Sequence, residues 1–170
     1  MRDDPYNVLF LCTGNSARSI IGESLLNAMG QGRFRAFSAG SQPRGEVNPD
    51  ALRLLEKMQL PVTGLHSKSW TAFAGPNAPV MDFVFTVCDQ AAAEACPVWP
   101  GQPMSAHWGM PDPAAVTGDD EIRLQAFRAT FFELQRRLGL FINLPVRSLD
   151  RMALKRAMDE IGGSSDRSAS

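Results

Sequence analysis

A cysteine and an arginine lie six residues apart near the start of the chain, in Cys12-Thr-Gly-Asn-Ser-Ala-Arg18-Ser19. A loop of this length can curl so that successive backbone N–H groups point at one bound oxyanion. Arg18 can close this cradle with a bidentate fork, and the positive surroundings favour a thiolate at Cys12 that Ser19 is placed to hydrogen-bond. The segment predicts a nucleophilic cysteine and an oxyanion site whose substrate-binding residues are Thr13, Gly14, Asn15, Ser16, Ala17 and Arg18.

A carboxyl group suited to proton transfer follows much later, in Gly109-Met-Pro-Asp112-Pro113. Expelling an oxygen from a tetrahedral centre requires a proton, and a carboxylic acid beside the anion can donate it. Asp-Pro also commonly begins a turn, which is the structural alternative. Because the cysteine loop is present, we expect Asp112 to be the general acid.

Two further cysteines, Cys88 and Cys96, complete an odd set of three that cannot all pair within the chain. No CxxC pair exists, and neither histidine adjoins a cysteine, so we expect no metal site. A stapled secreted fold would be smaller and richer in cysteine. The remaining alternatives for Cys88 and Cys96 are packing residues or participants in redox chemistry.

The candidate catalytic cysteines lie at the ends of apolar segments that have the length of a β-strand. Residues 7–12 are apolar without alternation, which is typical of a strand covered on both faces of a parallel sheet. Helical spacing separates the runs, and Asn48-Pro49 is a typical helix start. We predict strands at 7–12, 35–39, 83–87 and 105–108, and helices at 19–30, from 48, at 90–95, at 122–138 and at 149–161.

Strands that alternate with helices predict an α/β fold, a single three-layer domain with a four-stranded parallel sheet flanked by helices. We place this domain at residues 1–162 and expect a flexible tail at 163–170. In such sheets ligands bind at the carboxyl ends of the strands. Cys12 and Cys88 both fall at such ends, so we expect the two thiols to meet.

The composition excludes several classes of protein. Of the 170 residues, 44% are hydrophobic and 21% are charged, which excludes general disorder. Seventeen basic and eighteen acidic side chains give a net charge of −1, which argues against a nucleic-acid-binding protein. No apolar run approaches the roughly 18 residues of a membrane span, and the first residues do not resemble a secretory signal. We expect a cytoplasmic monomer.

The segment Val8-Leu-Phe-Leu-Cys12-Thr-Gly-Asn-Ser-Ala-Arg18-Ser19 resembles the signature of the low-molecular-weight protein tyrosine phosphatases and of the arsenate reductases that share their fold. His107-Trp-Gly-Met-Pro-Asp112-Pro113 resembles the Asp-Pro loop of this family. The segment from Cys88 to Cys96 resembles that of the thioredoxin-coupled reductases. The resemblance covers residues 6 to about 140. Asn15, Glu23 and Ser38 also resemble a cation site of some reductases, although ordinary helix and loop roles explain them equally well.

The resemblance implies a reaction cycle. Cys12 attacks arsenate while Asp112 protonates the leaving oxygen. Cys88 then attacks Cys12, which releases arsenite and forms a Cys12–Cys88 disulfide. Cys96 finally attacks Cys88, which leaves a Cys88–Cys96 disulfide. An external dithiol, thioredoxin or else glutaredoxin with glutathione, would restore the enzyme, which holds no cofactor of its own. Phosphate and sulfate would compete as oxyanions. The alternatives are a phosphatase that works through a phosphocysteine, and a non-catalytic anion sensor that retains the cradle.

Replacement of the proposed nucleophile tests both enzymatic alternatives. We expect Cys12→Ser to abolish turnover of arsenate and of an aryl phosphate alike, because a neutral hydroxyl is a poor nucleophile beside a cysteine thiolate. Steady-state assays with each substrate measure this. Normal turnover by the variant would contradict the role of Cys12.

Overall fold

The computed structural model describes residues 4–89, 91 and 99–168, with side chains described as far as residue 163. The short helix predicted at 90–95 lies outside the described residues except for Ala91, and Cys96 lies outside them as well. The rest of the predicted architecture can be compared with the structure directly.

A four-stranded sheet forms the centre of the fold. Its strands are β1 (Tyr6–Leu11), β2 (Phe34–Ala39), β3 (Phe83–Thr86) and β4 (Met104–His107). Their order is β2-β1-β3-β4, and every neighbouring pair is parallel. The predicted α/β class and the parallel four-stranded sheet are confirmed, with strand ends within one residue or so of the predicted ones.

Four α-helices are described: α1 (Arg18–Met29), α2 (Pro49–Lys57), α3 (Asp120–Ile142) and α4 (Arg151–Ser168). Short 3-10 helices cover Trp70–Phe73 and Pro113–Ala115. Asn48 begins α2 as predicted, because its side chain accepts a hydrogen bond from the N–H of Asp50 at 2.8 Å.

The two faces of the sheet are covered differently. Val8 and Phe10 of β1 face the large core, to which all four described helices contribute buried side chains. Leu9 and Leu11 face a smaller cluster that includes Phe73 of the 3-10 helix. Because both faces of β1 are covered, every position from 8 to 11 is buried, which explains the apolar run without alternation.

The last two helices differ from their predicted pattern in two details. Ile122 was predicted to face the core but is 48% exposed, because it lies in the first turn of α3 over Gly118, beyond the edge of the core. Helix α4 continues to Ser168, past the predicted start of the tail at residue 163. Neither Gly162 nor Gly163 adopts the positive φ with which a glycine often ends a helix.

Helix α4 and helix α3 both hold Trp108, which follows β4. The Trp108 ring stacks on Phe85 with a centroid separation of 3.9 Å, and its Nε1 donates to the carbonyl of Met158 in α4 at 3.0 Å. Arg137 of α3 is buried and donates to the carbonyl of Trp108 at 2.8 Å. The beginning of the 109–113 loop is therefore fixed by two helices.

None of the described helices is long and apolar enough to cross a membrane.

Two adjacent glycines of α4 provide a matched test of this packing. A Cβ on Gly162 would stand 2.6 Å from both the carbonyl oxygen of His107 and Cδ1 of Trp108, whereas one on Gly163 would meet nothing within 4 Å. We expect Gly162→Ala to lower the free energy of unfolding by about 2 kcal/mol, because the helix must move away from β4. Gly163→Ala should raise it by about 0.5 kcal/mol, since alanine favours a helix.

Urea denaturation followed by circular dichroism measures both changes. Equal effects of the two substitutions would contradict close packing of α4 against Trp108.

Candidate active site

The carboxyl edge of the sheet brings the two described cysteines together. Backbone pairing continues past the strand ends, where Val87 N–H donates to the carbonyl of Leu11 at 2.9 Å and Met110 N–H donates to that of Val87 at 3.3 Å. Residues 12, 88 and 110 are thereby drawn to one edge. They border a single cleft, lined by Thr13, Gly14, Arg18, Gln42, Arg44, Cys88, Asp89, Met110, Pro111 and Asp112.

The start of α1 differs from the starts of the neighbouring helices. Asn48 and Asp119 cap α2 and α3 with side-chain oxygens, whereas Ala17 at the start of α1 supplies no side-chain cap. The first N–H groups of α1 have no intrahelical partner, and an anion can satisfy them. The first turn of α1 also carries no acidic residue. This helix start has the properties that oxyanion binding requires.

Asn15 shapes the predicted cradle from within. Its φ of 43° places it in the left-handed region, and its side chain is completely buried. The side-chain oxygen accepts from the N–H of Lys68 at 2.8 Å, and Nδ2 donates to Oγ of Ser19 at 2.8 Å. The hydroxyl oxygen of Ser19 accepts from Asn15, which leaves its O–H free to donate, and the predicted hydrogen bond from Ser19 to Cys12 stays a prediction. The side chains of Asn15 and Ser19 therefore support the loop.

The two thiols form a coupled pair. Both are buried and free of disulfide bonds, and they are joined by a hydrogen bond. That hydrogen bond, together with N–H groups of Thr13 and Ala91 at 3.4 Å, lowers the pKa of Cys88 to about 5, against the effect of burial. The bond to Cys88 and burial raise the pKa of Cys12, against the attraction of Arg18.

The hydrogen-bond donors near the two thiols are distributed unevenly. The N–H groups of Thr13 and Ala91 favour the charge on Cys88, since both donate to its sulfur. The role of Cys12 as the attacking thiolate stays a prediction. The N–H of Thr13 also points to Cys88 rather than into the cradle.

Arg18 and Asp112 face each other across the cleft. One guanidinium nitrogen of Arg18 lies 3.7 Å from Oδ2 of Asp112, and another donates to the carbonyl of Met110 at 2.9 Å. The second carboxyl oxygen of Asp112 accepts from the N–H of Ala114 at 2.9 Å, which starts the 3-10 helix. The structural and chemical roles proposed for Asp112 are thus compatible, since one oxygen caps a turn and the other faces the cradle.

His107 joins the end of β4 to the beginning of the segment after Cys88. One ring nitrogen is 2.8 Å from Oγ1 of Thr86, and the other is 2.8 Å from Oδ1 of Asp89. Asp89 is the neighbour of Cys88 in the chain. His107 thus contacts the residue next to Cys88, and its spacing from Cys88 in the sequence did not indicate this contact.

Lys68 lies among the three residues that resemble a cation site, Asn15, Glu23 and Ser38, and contacts two of them. The ammonium of Lys68 lies 3.8 Å from Oε1 of Glu23, and the hydroxyl of Ser38 donates to the same carboxylate oxygen at 2.5 Å. Burial raises the pKa of Glu23 and lowers that of Lys68. Within the part of the chain that the structure describes, no group of three or more His, Cys, Asp or Glu side chains is arranged to hold a metal ion.

Gly40 is a contributor that sequence reasoning missed. A Cβ at this position would lie 2.4 Å from the carbonyl oxygen of Thr13 and 2.5 Å from that of Cys12. Only glycine lets the end of β2 pass this close to the cradle. A glycine that ends an apolar strand was the available signal, but the sequence does not show which segment it must approach.

A buried nucleophilic cysteine, an uncapped helix start and a facing carboxyl group on a parallel sheet define a class of cysteine-dependent enzymes that act on oxyanions. The model of the low molecular weight phosphotyrosine protein phosphatase family matches residues 7–155, and the chain belongs to this family. This confirms the family that the sequence resembles.

Several relatives carry the name of one branch of the family. An arsenate reductase of Halalkalibacterium halodurans is 32% identical over 134 residues, which are 79% of this chain and 93% of that protein. The crystal structure of arsenate reductase from Archaeoglobus fulgidus matches with a TM-score of 0.58 and 26% identity, covering 78% of this chain and 98% of that one. A thioredoxin-dependent arsenate reductase of Corynebacterium glutamicum shares the fold, with a TM-score of 0.55 and 21% identity over 82% and 65% of the chains.

The pair of Lys68 and Glu23 yields a stability prediction. We expect Lys68→Ala to lower the free energy of unfolding by about 3 kcal/mol at neutral pH, because it leaves a buried carboxylate without its counter-charge. Loss of Lys68 raises the folded-state pKa of Glu23 further. A carboxyl group with a raised folded pKa loses its stabilising contribution as the pH rises through that pKa. The defect should therefore be small in acid and grow toward neutral pH.

Denaturation at several pH values measures this, with exposed Lys57→Ala as the control and Glu23→Gln combined with Lys68→Ala as the rescue. A loss that is independent of pH, or that the double variant does not reduce, would contradict the pairing.

Proposed function

We propose that this protein is an arsenate reductase that reduces arsenate to arsenite through Cys12, Cys88 and Cys96 and is recycled by an external dithiol. The observation that carries the proposal is that Sγ of Cys88 accepts from the N–H of Thr13, the residue next to Cys12, at 3.4 Å, in the cleft that Arg18 and Asp112 line. The names of the relatives support the same activity. A reductase must supply two electrons, and two thiols supply them by becoming a disulfide.

In the proposed first step, arsenate enters the cradle and binds Arg18 and the N–H groups at the start of α1. Cys12 passes its proton to Cys88 along their hydrogen bond and attacks arsenic as a thiolate. Asp112 protonates the departing hydroxyl, which leaves as water, and a Cys12–arsenic bond forms. Hydrogen arsenate brings the proton that Asp112 passes on, and the anion competes with Asp112 for the guanidinium of Arg18.

In the second step, Cys88 loses its proton and attacks the sulfur of Cys12. The sulfur–sulfur bond forms, the sulfur–arsenic bond breaks, and its electron pair stays on arsenic, which leaves as arsenite. The hydrogen bonds from Thr13 and Ala91 favour the Cys88 thiolate that this attack requires. Cys96 then attacks Cys88, which frees Cys12 and leaves a Cys88–Cys96 disulfide.

The external reductant completes the cycle by reducing that disulfide. Thioredoxin is the reductant that we propose, and the C. glutamicum enzyme of the same fold is described as dependent on it. Glutaredoxin with glutathione is the alternative. The proposal includes a cytoplasmic monomer, and no step of the cycle draws on a bound cofactor.

The phosphatase alternative requires only one thiol, because water hydrolyses a phosphocysteine. Contact between two free, buried thiols favours the reductase instead. The residues after the Asp-Pro pair also favour a compact anion, because Ala114 and Ala115 offer no aromatic wall for a tyrosyl ring.

Single-turnover chemistry separates the three cysteines. We expect Cys96→Ser to form about one equivalent of arsenite per enzyme and then stop, because the Cys12–Cys88 disulfide cannot move on. Cys88→Ser should release no arsenite. Neither variant should consume NADPH with arsenate, thioredoxin and thioredoxin reductase, whereas the unchanged protein should.

Aryl phosphate hydrolysis by the same variants is the control. Hydrolysis that survives in Cys88→Ser shows an intact cradle, so a lost reduction is then chemical. Brisk hydrolysis without arsenate-dependent NADPH consumption by the unchanged protein would overturn the proposal in favour of a phosphatase.

A further inference from the structure

We propose that Arg44 is a second oxyanion-binding residue, which binds the outward oxygen of the anion held in the cradle and favours inorganic oxyanions over their esters. The proposal rests on the proposed function for the identity of the substrate, but binding of inorganic phosphate tests it separately. The side chain of Arg44 lines the cleft together with Arg18, Cys88 and Asp112.

The segment from Gln42 to Asn48, which carries Arg44, is hydrogen-bonded to the cradle at three positions. The N–H of Arg44 donates to the carbonyl of Gly14 at 3.0 Å, and Gln42 and Asn48 on either side donate to the carbonyls of Thr13 and Ser16 at 2.9 and 2.8 Å. The hydroxyl of Ser67 donates to Gly14 as well, at 3.2 Å. The segment that carries Arg44 therefore has a fixed position relative to the oxyanion site.

The side chain of Arg44 lies across the outer face of the cradle. Its Nε is 3.1 Å from the position that a Cβ of Gly14 would occupy. Because Gly14 has no side chain, the guanidinium can lie against the loop and remain at the mouth of the cleft. No carboxylate of the described residues is within 4 Å of Arg44, whereas Arg18 already faces Asp112 at 3.7 Å. Arg44 is thus a cation available to an incoming anion.

The charges around the cleft indicate why a second arginine is needed. Asp89 and the thiolate of the cysteine pair bring negative charge to the cleft, and Arg18 already faces Asp112 at 3.7 Å. Without Arg44 an incoming anion would meet this negative charge with less positive charge at the mouth to offset it. A guanidinium at the mouth lowers this repulsion and adds hydrogen bonds to the anion.

The position of Arg44 also bears on specificity. The cradle and Arg18 surround the inner oxygens, so the fourth oxygen points outward toward the mouth. In an inorganic anion that oxygen can accept hydrogen bonds freely and share the negative charge, whereas in a monoester it carries the organic group. A guanidinium at the mouth therefore assists the inorganic anion more than the ester.

The test compares Arg44→Gln and Arg44→Lys with Arg35→Gln, which removes the same charge from an exposed position near the start of β2, at the opposite end of the sheet. Calorimetry with inorganic phosphate gives Kd, and competition gives Ki for phenyl phosphate. We expect Arg44→Gln to raise the phosphate Kd about tenfold, the effect of losing a charged hydrogen bond. Arg44→Lys should be intermediate, and Arg35→Gln should match the unchanged protein.

In arsenate turnover we expect Arg44→Gln to raise KM by a larger factor than it lowers kcat, and to raise the phenyl phosphate Ki less than the phosphate Kd. An unchanged phosphate Kd, or an equal loss in Arg35→Gln, would overturn the assignment. Equal weakening of phosphate and ester would overturn the contact with the outward oxygen. If neither the unchanged protein nor any variant reduces arsenate, while Arg44→Gln still raises the phosphate Kd, the proposed reductase activity is wrong and the role of Arg44 in anion binding stands.

Discussion

The contact between the thiols of Cys12 and Cys88 depends on one constraint, the parallel pairing of β1 with β3. Parallel neighbours end at the same edge of a sheet, so residues that follow their last positions are adjacent although 76 positions separate them in the chain. The same pairing continued to β4 brings Met110 and Asp112 to that edge. Cys12, Cys88 and the loop that carries Asp112 are thus placed by backbone hydrogen bonds rather than by mobile side chains.

This contact also determines how charge is distributed before substrate arrives. Two buried thiols in one hydrogen bond share a proton, and the sulfur that accepts more N–H donors carries the charge. Thr13 and Ala91 turn toward Cys88, so Cys88 is the thiolate of the pair.

The edge is supported by segments on both sides of the cradle. On one side, Asn15, Glu23 and Lys68 hold the loop through buried hydrogen bonds and an ion pair. On the other side, Arg137 and α4 hold Trp108, from which the acid loop departs. Helix α4 lies beyond the part of the sequence that resembles the reductases, and its packing on Trp108 links it to the position of the acid loop.

The amino-acid sequence by itself determined the elements and the contiguous part of the site. The run at residues 8–11 is apolar at every position because both faces of β1 are covered, and the segment 12–19 carries its chemistry in neighbouring residues. The exposed position of Ile122 and the passage of α4 through Gly162 differed from the expected pattern, because periodicity does not show where a core ends or which neighbour a glycine approaches.

Only the tertiary structure decided which distant groups share a proton, a charge or a hydrogen bond. Ser19 accepts a hydrogen bond from Asn15, and Lys68 meets Glu23 across 45 positions of the chain. Arg44 is an ordinary surface residue by its type and acquires significance because its loop is bonded to the cradle. Hydrogen bonding and pKa values depend on distance and burial, which are set where separate segments meet, and local sequence does not specify those meetings.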